Sequence, residues 1–64
     1  MRWIDIEDSA KPKFGIFVLC HCPEWNESGY QVAQFKAGRF EYDEDPNGSF
    51  GDYVKSWALF MEAH

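Results

Sequence analysis

The chain has 64 residues, and its eleven acidic against six basic side chains give a formal net charge of −5. A chain of this length forms one small domain, residues 1–64, and buries only about 60% of the surface that it exposes when unfolded. Three Trp, three Tyr and six Phe supply a credible apolar core without disulfides. The acidic balance argues against direct binding to nucleic acid or to an anionic membrane surface, and it favours a basic partner.

No apolar stretch approaches the roughly 20 residues that a membrane span needs. The N-terminal residues MRWIDIED lack the apolar region of a secretion signal. We therefore expect a cytoplasmic protein whose two cysteines stay reduced.

The first two predicted elements are strands. Residues 2–6, RWIDI, alternate with Trp3 and Asp5 on one face and Ile4 and Ile6 on the other, and they predict a strand or an extended lead-in. Residues 7–13 are polar and contain Pro12, which predicts a loop. Residues 14–22, FGIFVLCHC, are the strongest predicted strand because β-branched and aromatic residues dominate them.

The middle of the chain predicts a β-hairpin. Residues 30–37, YQVAQFKA, follow a polar loop and have the composition of a strand. Gly38 permits a tight turn into a further strand at 39–44, which would place Phe40 and Tyr42 on one face.

The end of the chain is ambiguous. Residues 45–52 carry turn chemistry, with Asn47-Gly48 as the sharpest turn signal. Residues 53–64 could close a sheet as a strand, but their apolar spacing favours a helix slightly. The fold class is therefore mostly β. We expect a small antiparallel sheet or a partly open barrel of four to five strands, with a C-terminal helix as an open alternative.

The order and separation of the apolar motifs resemble the family called domain of unknown function 551, small proteins found largely in bacteriophages and prophages. The residues that carry the resemblance are Trp3, Ile4, Pro12, Val18, Leu19, Val32, Ala33, Phe35, Gly38, Phe40, Val54 and Trp57. The chain departs from the family pattern at Ser56, where a histidine is usual, and after Trp57, where a proline is missing. The resemblance implies a mostly β fold and a phage-associated origin, and it implies no activity.

Residues 18–22 read VLCHC, with a thiol on each side of an imidazole. In an extended strand, Cys20 and Cys22 point to one face and His21 to the other. The cysteine Cβ atoms would then lie about 7 Å apart, too far for a disulfide. We expect Cys20 to be a core residue, His21 to face solvent and Cys22 to lie at the strand end, with no metal ligand or cofactor among them. A zinc or redox site is the alternative, although the other histidine, His64, is distant.

Residues 40–53, FEYDEDPNGSFGDY, hold five acids and no base. They form either a solvated strand end and loop or an acidic docking surface in which aromatic residues anchor a basic partner. The candidate partner-binding residues of this stretch are Glu41, Tyr42, Asp43, Glu44, Asp45, Phe50 and Asp52. Calcium is not expected, because the spacing differs from that of an EF-hand loop.

The three tryptophans lie in different contexts. Trp25 occurs in the polar loop CPEWNESGY, so it is either folded back onto the core or exposed as a further partner-contact residue. Trp3 and Trp57 lie in apolar-periodic segments, which predicts that both belong to the core.

Three functional hypotheses follow. The favoured one is a non-catalytic protein-binding modulator that occupies a basic surface of a host protein, such as a nucleic-acid enzyme or a defence nuclease. The second is a structural, self-associating protein, since twelve aromatic residues could leave an apolar patch uncovered. The third is a small metal or redox protein. Enzyme activity is not expected, because no Ser/His/Asp set or phosphate-binding loop occurs and His21 is badly placed as a base for Cys22.

Overall fold

The computed structural model describes residues 2–45 and 47–60. In chain order the elements are β1 (Ile4–Asp5), β2 (Phe17–His21), β3 (Tyr30–Lys36), β4 (Arg39–Glu41), a 3₁₀ helix (Ser49–Tyr53) and β5 (Ser56–Leu59). The five strands form one open antiparallel sheet in the spatial order β1-β5-β2-β3-β4, which confirms the predicted fold class as a sheet. No helix of the described residues is long and apolar enough to cross a membrane.

The predicted hairpin is confirmed between β3 and β4. Phe35 pairs with Phe40, and Lys36 pairs with Arg39. The two residues between the strands, Ala37 and Gly38, both have positive φ, at 52° and 80°. Positive φ at both central positions is the signature of a type I′ turn, whose twist matches that of the flanking strands.

The helix favoured for residues 53–64 is wrong where the structure describes its middle part, because Ser56–Leu59 form strand β5. The helical part of this region is the preceding 3₁₀ helix, which ends at Tyr53. Strand β5 lies between β1 and β2, where Trp57 pairs with Ile4 on one side and with Cys20 on the other. Strand pairing on both sides outweighs the weak local periodicity. Residues 61–64 lie outside the described residues.

The hydrophobic core lies on one face of the sheet. Its buried members are Val18, Cys20, Cys22, Ala33, Phe40, Phe50, Val54 and Trp57. The strand residues among them alternate with residues of the opposite face, as the period of a strand requires. The 3₁₀ helix and the segment after it cover this face through Phe50 and Val54. Trp57 is therefore in the core as predicted.

Candidate functional site

The centre of the second face of the sheet is apolar and only partly covered by the described residues. Its central side chains are Trp3, Phe17, Leu19, His21, Tyr30, Val32 and Gln34, and they are called the open face here. Phe17 is 62% exposed and Val32 is 42% exposed. An antiparallel sheet with one solvated face normally shows polar side chains there. Exposed apolar patches of this kind are typical of interaction surfaces.

The open face has the shape of a trough. Leu19 and Val32 are cross-strand partners and form its floor. Phe17 stands on one side of Leu19 along β2, and His21 stands on the other. Because the two walls are four residues apart along a strand, their Cα atoms are separated by about 13 Å.

The wall at His21 is a three-ring aromatic cluster. The His21 and Tyr30 rings are 5.2 Å apart, and Trp3 lies 6.1 Å from His21 and 5.8 Å from Tyr30. Ser56 pairs with His21 from β5, and Trp3 reaches across that strand to the His21 and Tyr30 rings. The prediction that Trp3 belongs to the core is wrong, since 40% of it is exposed on the opposite side of the sheet.

An acidic turn stands at the β4 side of the trough. Asp43 and Glu44 are exposed and form this turn, which a hydrogen bond from the Asp45 N–H to the Tyr42 carbonyl closes at 2.9 Å. The two carboxylates share with Phe17 and Val32 the lining of a shallow groove of about 370 Å³. Acidic side chains therefore lie directly beside the apolar trough.

The one ion pair recorded among residues 2–45 and 47–60 joins Arg39 Nε to Glu41 Oε2 at 3.4 Å. Glu41 pairs with Gln34 across the β3–β4 ladder and so lies on the side of the open face. Neither Asp43 nor Glu44 takes part in this pair, so their negative charge is not compensated by an ion pair within the described residues. The acidic turn can therefore attract a cation from outside the protein.

The prediction that Asp45 and Phe50 face a partner is wrong, because both are buried. The Asp45 carboxylate accepts hydrogen bonds from Ser49 Oγ at 2.6 Å and from the Phe50 N–H at 2.7 Å. These two bonds lower the pKa of Asp45. Asp45 therefore fixes the start of the 3₁₀ helix, and the Phe50 side chain is buried in the core.

Trp25 and Tyr42 belong to the same packed unit. Trp25 Nε1 donates a hydrogen bond to the Tyr42 hydroxyl at 2.8 Å, and both rings pack on Phe50. Trp25 also packs on Tyr53. Of the two alternatives for Trp25, the structure thus takes the one folded back onto the core. Trp25 and Tyr42 support the acidic turn from beneath, and both remain partly accessible.

Asp52 lies apart from the other predicted contact residues. It is exposed on the 3₁₀ helix and lines two other grooves, together with Ile6 and Gly51. Of the predicted acidic surface, the structure therefore brings Glu41, Asp43 and Glu44 together beside the open face. It places Asp45 inside the protein.

The free part of the β3 edge is capped by side chains. The Tyr30 carbonyl accepts hydrogen bonds from Asn26 Nδ2 and from Ser28 Oγ, both at 3.1 Å. The Val32 carbonyl accepts a hydrogen bond from Gln31 Nε2 at 2.9 Å. Strand β4 covers only Gln34–Lys36 of this edge. Occupied edge groups discourage pairing with another strand.

The VLCHC segment has the predicted alternation of faces, but His21 is half-buried between the Trp3 and Tyr30 rings instead of facing solvent freely. Cys20 and Cys22 are free thiols buried on the core side, and the Cys22 thiol lies 3.8 Å from the Cys20 carbonyl as a weak donor. His21 lies on the open face, so the three side chains do not converge on one point. No group of three or more metal-ligating side chains occurs within the described ranges. His64 lies outside them.

We expect both thiols to be unreactive in the folded protein. Burial and the neighbouring Cys22 raise the pKa of Cys20 to about 12, and burial raises the pKa of Cys22. A thiol-reactive dye at pH 8 should label neither cysteine until urea unfolds the chain, because the thiolate is the nucleophile. Rapid labelling of the native protein would contradict this assignment.

The same shifts predict a loss of stability at alkaline pH. The folded pKa of Cys20 lies above its ordinary value of 9.0, so its contribution is intact below pH 9.0. It is lost as the pH rises through 9.0 toward about 12, where the unfolded chain releases the proton first. Urea titrations between pH 8 and 11 should show this decline, and Cys20→Ala should reduce it.

The sequence contains a signal for the open face. In β2, Phe17 and Leu19 alternate with Val18 and Cys20, so the strand is apolar on both sides. A strand with apolar side chains on both sides is typical of a sheet that is covered by other structure on each face. In the described residues, the 3₁₀ helix and the segment after it supply this cover on one face.

Comparison of the chain with protein-family models, with curated proteins and with solved structures finds no match.

Proposed function

We propose that this protein is a non-catalytic binding module that docks onto another protein through its open face, with Asp43 and Glu44 selecting a partner that is basic next to an apolar patch. The observation that carries the proposal is the groove in which Phe17 and Val32 share one lining with both carboxylates. Apolar burial supplies affinity, and charge supplies orientation and association rate. The buried thiols support a non-catalytic role, because neither offers a thiolate at neutral pH.

The resemblance to a phage-associated family extends the proposal to a bacterial host protein in the cytoplasm. Nucleic-acid enzymes and defence nucleases carry basic surfaces for their substrates, and an acidic module could occupy such a surface. The relevant acids here are Asp43 and Glu44 with Glu41 beside them, rather than the whole acidic stretch. The proposed modulator therefore relies on apolar contact as well as charge.

Self-association is the second candidate function, because the exposed rings of Trp3, Phe17 and Tyr30 could also be covered by a second copy of the chain. Sedimentation over a range of protein concentrations distinguishes the two. A strict monomer supports docking onto another protein, and a dimer that dissociates in Phe17→Ser supports self-association.

The electrostatic part of the proposal is tested by a matched pair of variants. Tagged Asp43→Asn/Glu44→Gln should recover about tenfold less partner from bacterial lysate than the wild type does at low salt. Glu24→Gln/Glu27→Gln changes the net charge equally, at two exposed residues of the loop before β3, and should recover as much as the wild type. Equal losses in both variants would show that net charge alone acts, and unchanged recovery in both would exclude the acidic turn.

A further inference from the structure

The shape of the open face limits what can lie on it. The trough runs across β2 and β3, with Leu19 and Val32 as its floor. Its walls are Phe17 on one side and the Trp3, His21 and Tyr30 rings on the other. The Cα atoms of the two walls lie about 13 Å apart, so the apolar stripe of an α-helix can enter between the wall rings while the body of the helix, about 10–12 Å in diameter, lies above them.

Other occupants fit this shape less well. An extended peptide gains most from pairing with a strand edge, but the uncovered β3 edge is capped by Asn26, Ser28 and Gln31. A second copy would present the same raised walls and the same acidic turn. Like charges brought together at an interface oppose association. The trough is therefore better suited to a rod-shaped apolar ligand.

The end of the trough limits the charge of that ligand. The groove that Asp43 and Glu44 line opens from Val32 and Phe17, so a ligand on the floor reaches both carboxylates. Neither carboxylate takes part in the ion pair between Arg39 and Glu41. A lysine or arginine of the ligand would supply the missing positive charge.

We infer that the partner presents an amphipathic α-helix, which lies in the trough with its apolar stripe on Leu19 and Val32 and a basic end at the acidic turn. This inference rests on the proposed function and specifies the partner's recognition element. An amphipathic helix of about three to four turns carries anchors at i, i+3, i+4 and i+7. Two or three of these anchors can contact the floor between the aromatic walls.

Designed peptides of about 15 residues test the inference. The first carries leucines at helical spacing and lysines at one end, the second replaces the lysines with glutamates, and the third rearranges the first composition into strict polar–apolar alternation. Each is titrated into the isotopically labelled protein and followed by NMR. The lysine helix should shift the amides of Leu19, Val32 and Asp43, and it should bind about tenfold more tightly than either comparator.

Matched variants locate the contact. Phe17→Ser and Asp43→Asn/Glu44→Gln should each weaken binding of the lysine helix about tenfold. Phe14→Ser and Glu24→Gln/Glu27→Gln make the same chemical changes away from the trough and should leave binding unchanged. Shifts confined to the 3₁₀ helix, or equal binding of the alternating or glutamate peptide, would overturn the inference.

The two proposals fail in distinguishable ways. If a protein partner is captured through Phe17 but no helical peptide enters the trough, the inference of a helical partner is wrong. The proposal that the protein docks through its open face then stands. If neither a protein nor a peptide depends on Phe17, both proposals are wrong. A wild-type dimer that becomes a monomer in Phe17→Ser would overturn the helix and assign the trough to a second copy.

Discussion

Replacing Phe50 with alanine is expected to remove on the order of half of the protein's free energy of unfolding. Phe50 is fully buried and packs against the Trp25 and Tyr42 rings, so its loss opens a cavity beneath the acidic turn. Phe→Ala in a core costs about 3–5 kcal/mol. A 64-residue domain has only about 3–10 kcal/mol of total stability at ~0.05–0.15 kcal/mol per residue.

Urea unfolding followed by circular dichroism measures this loss. Phe14→Ala serves as the control, because Phe14 is 76% exposed and lies outside the sheet. Its effect on the free energy of unfolding should stay within about 0.5 kcal/mol. If Phe50→Ala unfolded at the same urea concentration as the control, the assignment of Phe50 as the centre of the core would be refuted.

Replacing Asp45 with alanine is expected to lower the melting temperature by on the order of 10 °C. The carboxylate accepts hydrogen bonds from the buried Phe50 N–H and from the Ser49 hydroxyl, and alanine leaves both donors without this acceptor. Asp45→Asn should lose less, because its amide oxygen can still accept one of the two bonds. The melting temperature is expected to be highest for the wild type, lower for Asp45→Asn and lowest for Asp45→Ala.

The pH dependence of the melting temperature distinguishes the charged hydrogen bonds of Asp45 from a simple loss of packing. Hydrogen bonds from Phe50 and Ser49 hold the pKa of Asp45 below its ordinary value of 3.8. Its contribution is therefore present above pH 3.8 and is lost as the pH falls through the folded pKa. The difference in melting temperature between wild type and Asp45→Asn should shrink from pH 7 to pH 3. A constant difference would contradict the charged hydrogen bonds.

Much of the fold could be predicted from local sequence. Strands β2 and β3 lie within the FGIFVLCHC and YQVAQFKA segments, although residues 14–16 lie in a turn before β2, and Gly38 marked the hairpin. A helix was favoured for residues 53–64 because Tyr53, Trp57 and Phe60 have helical spacing, although Ser56–Leu59 form a strand. Trp57 is buried by strands that pair on both sides of β5, and such long-range pairing has no local signature.

The candidate site was predicted only in part. Asp43 and Glu44 were found because a run of acids is visible in one dimension. Asp45 belongs to the same run, yet it turns inward because the Phe50 N–H and the Ser49 hydroxyl need an acceptor. Composition cannot tell a solvated carboxylate from a capping one.

The open face was missed for a different reason. Phe17 and Val32 are far apart in the sequence, and the strand register brings them into one groove with Asp43. Trp3 was assigned to the core because apolar alternation marks a face of a strand without saying which face is covered. In this protein the 3₁₀ helix and its flanking segments cover the other side.

A comparison of Phe17 with Phe14 tests most directly whether the protein docks through its open face. Wild type, Phe17→Ser and Phe14→Ser are tagged and used in parallel to capture protein from bacterial lysate, after their melting temperatures are shown to be similar. The account predicts that Phe17→Ser recovers about tenfold less of the captured partner, because a contact at the centre of an interface is lost, while Phe14→Ser recovers as much as the wild type. Equal recovery by all three proteins, or equal losses in both variants, would contradict docking through the open face.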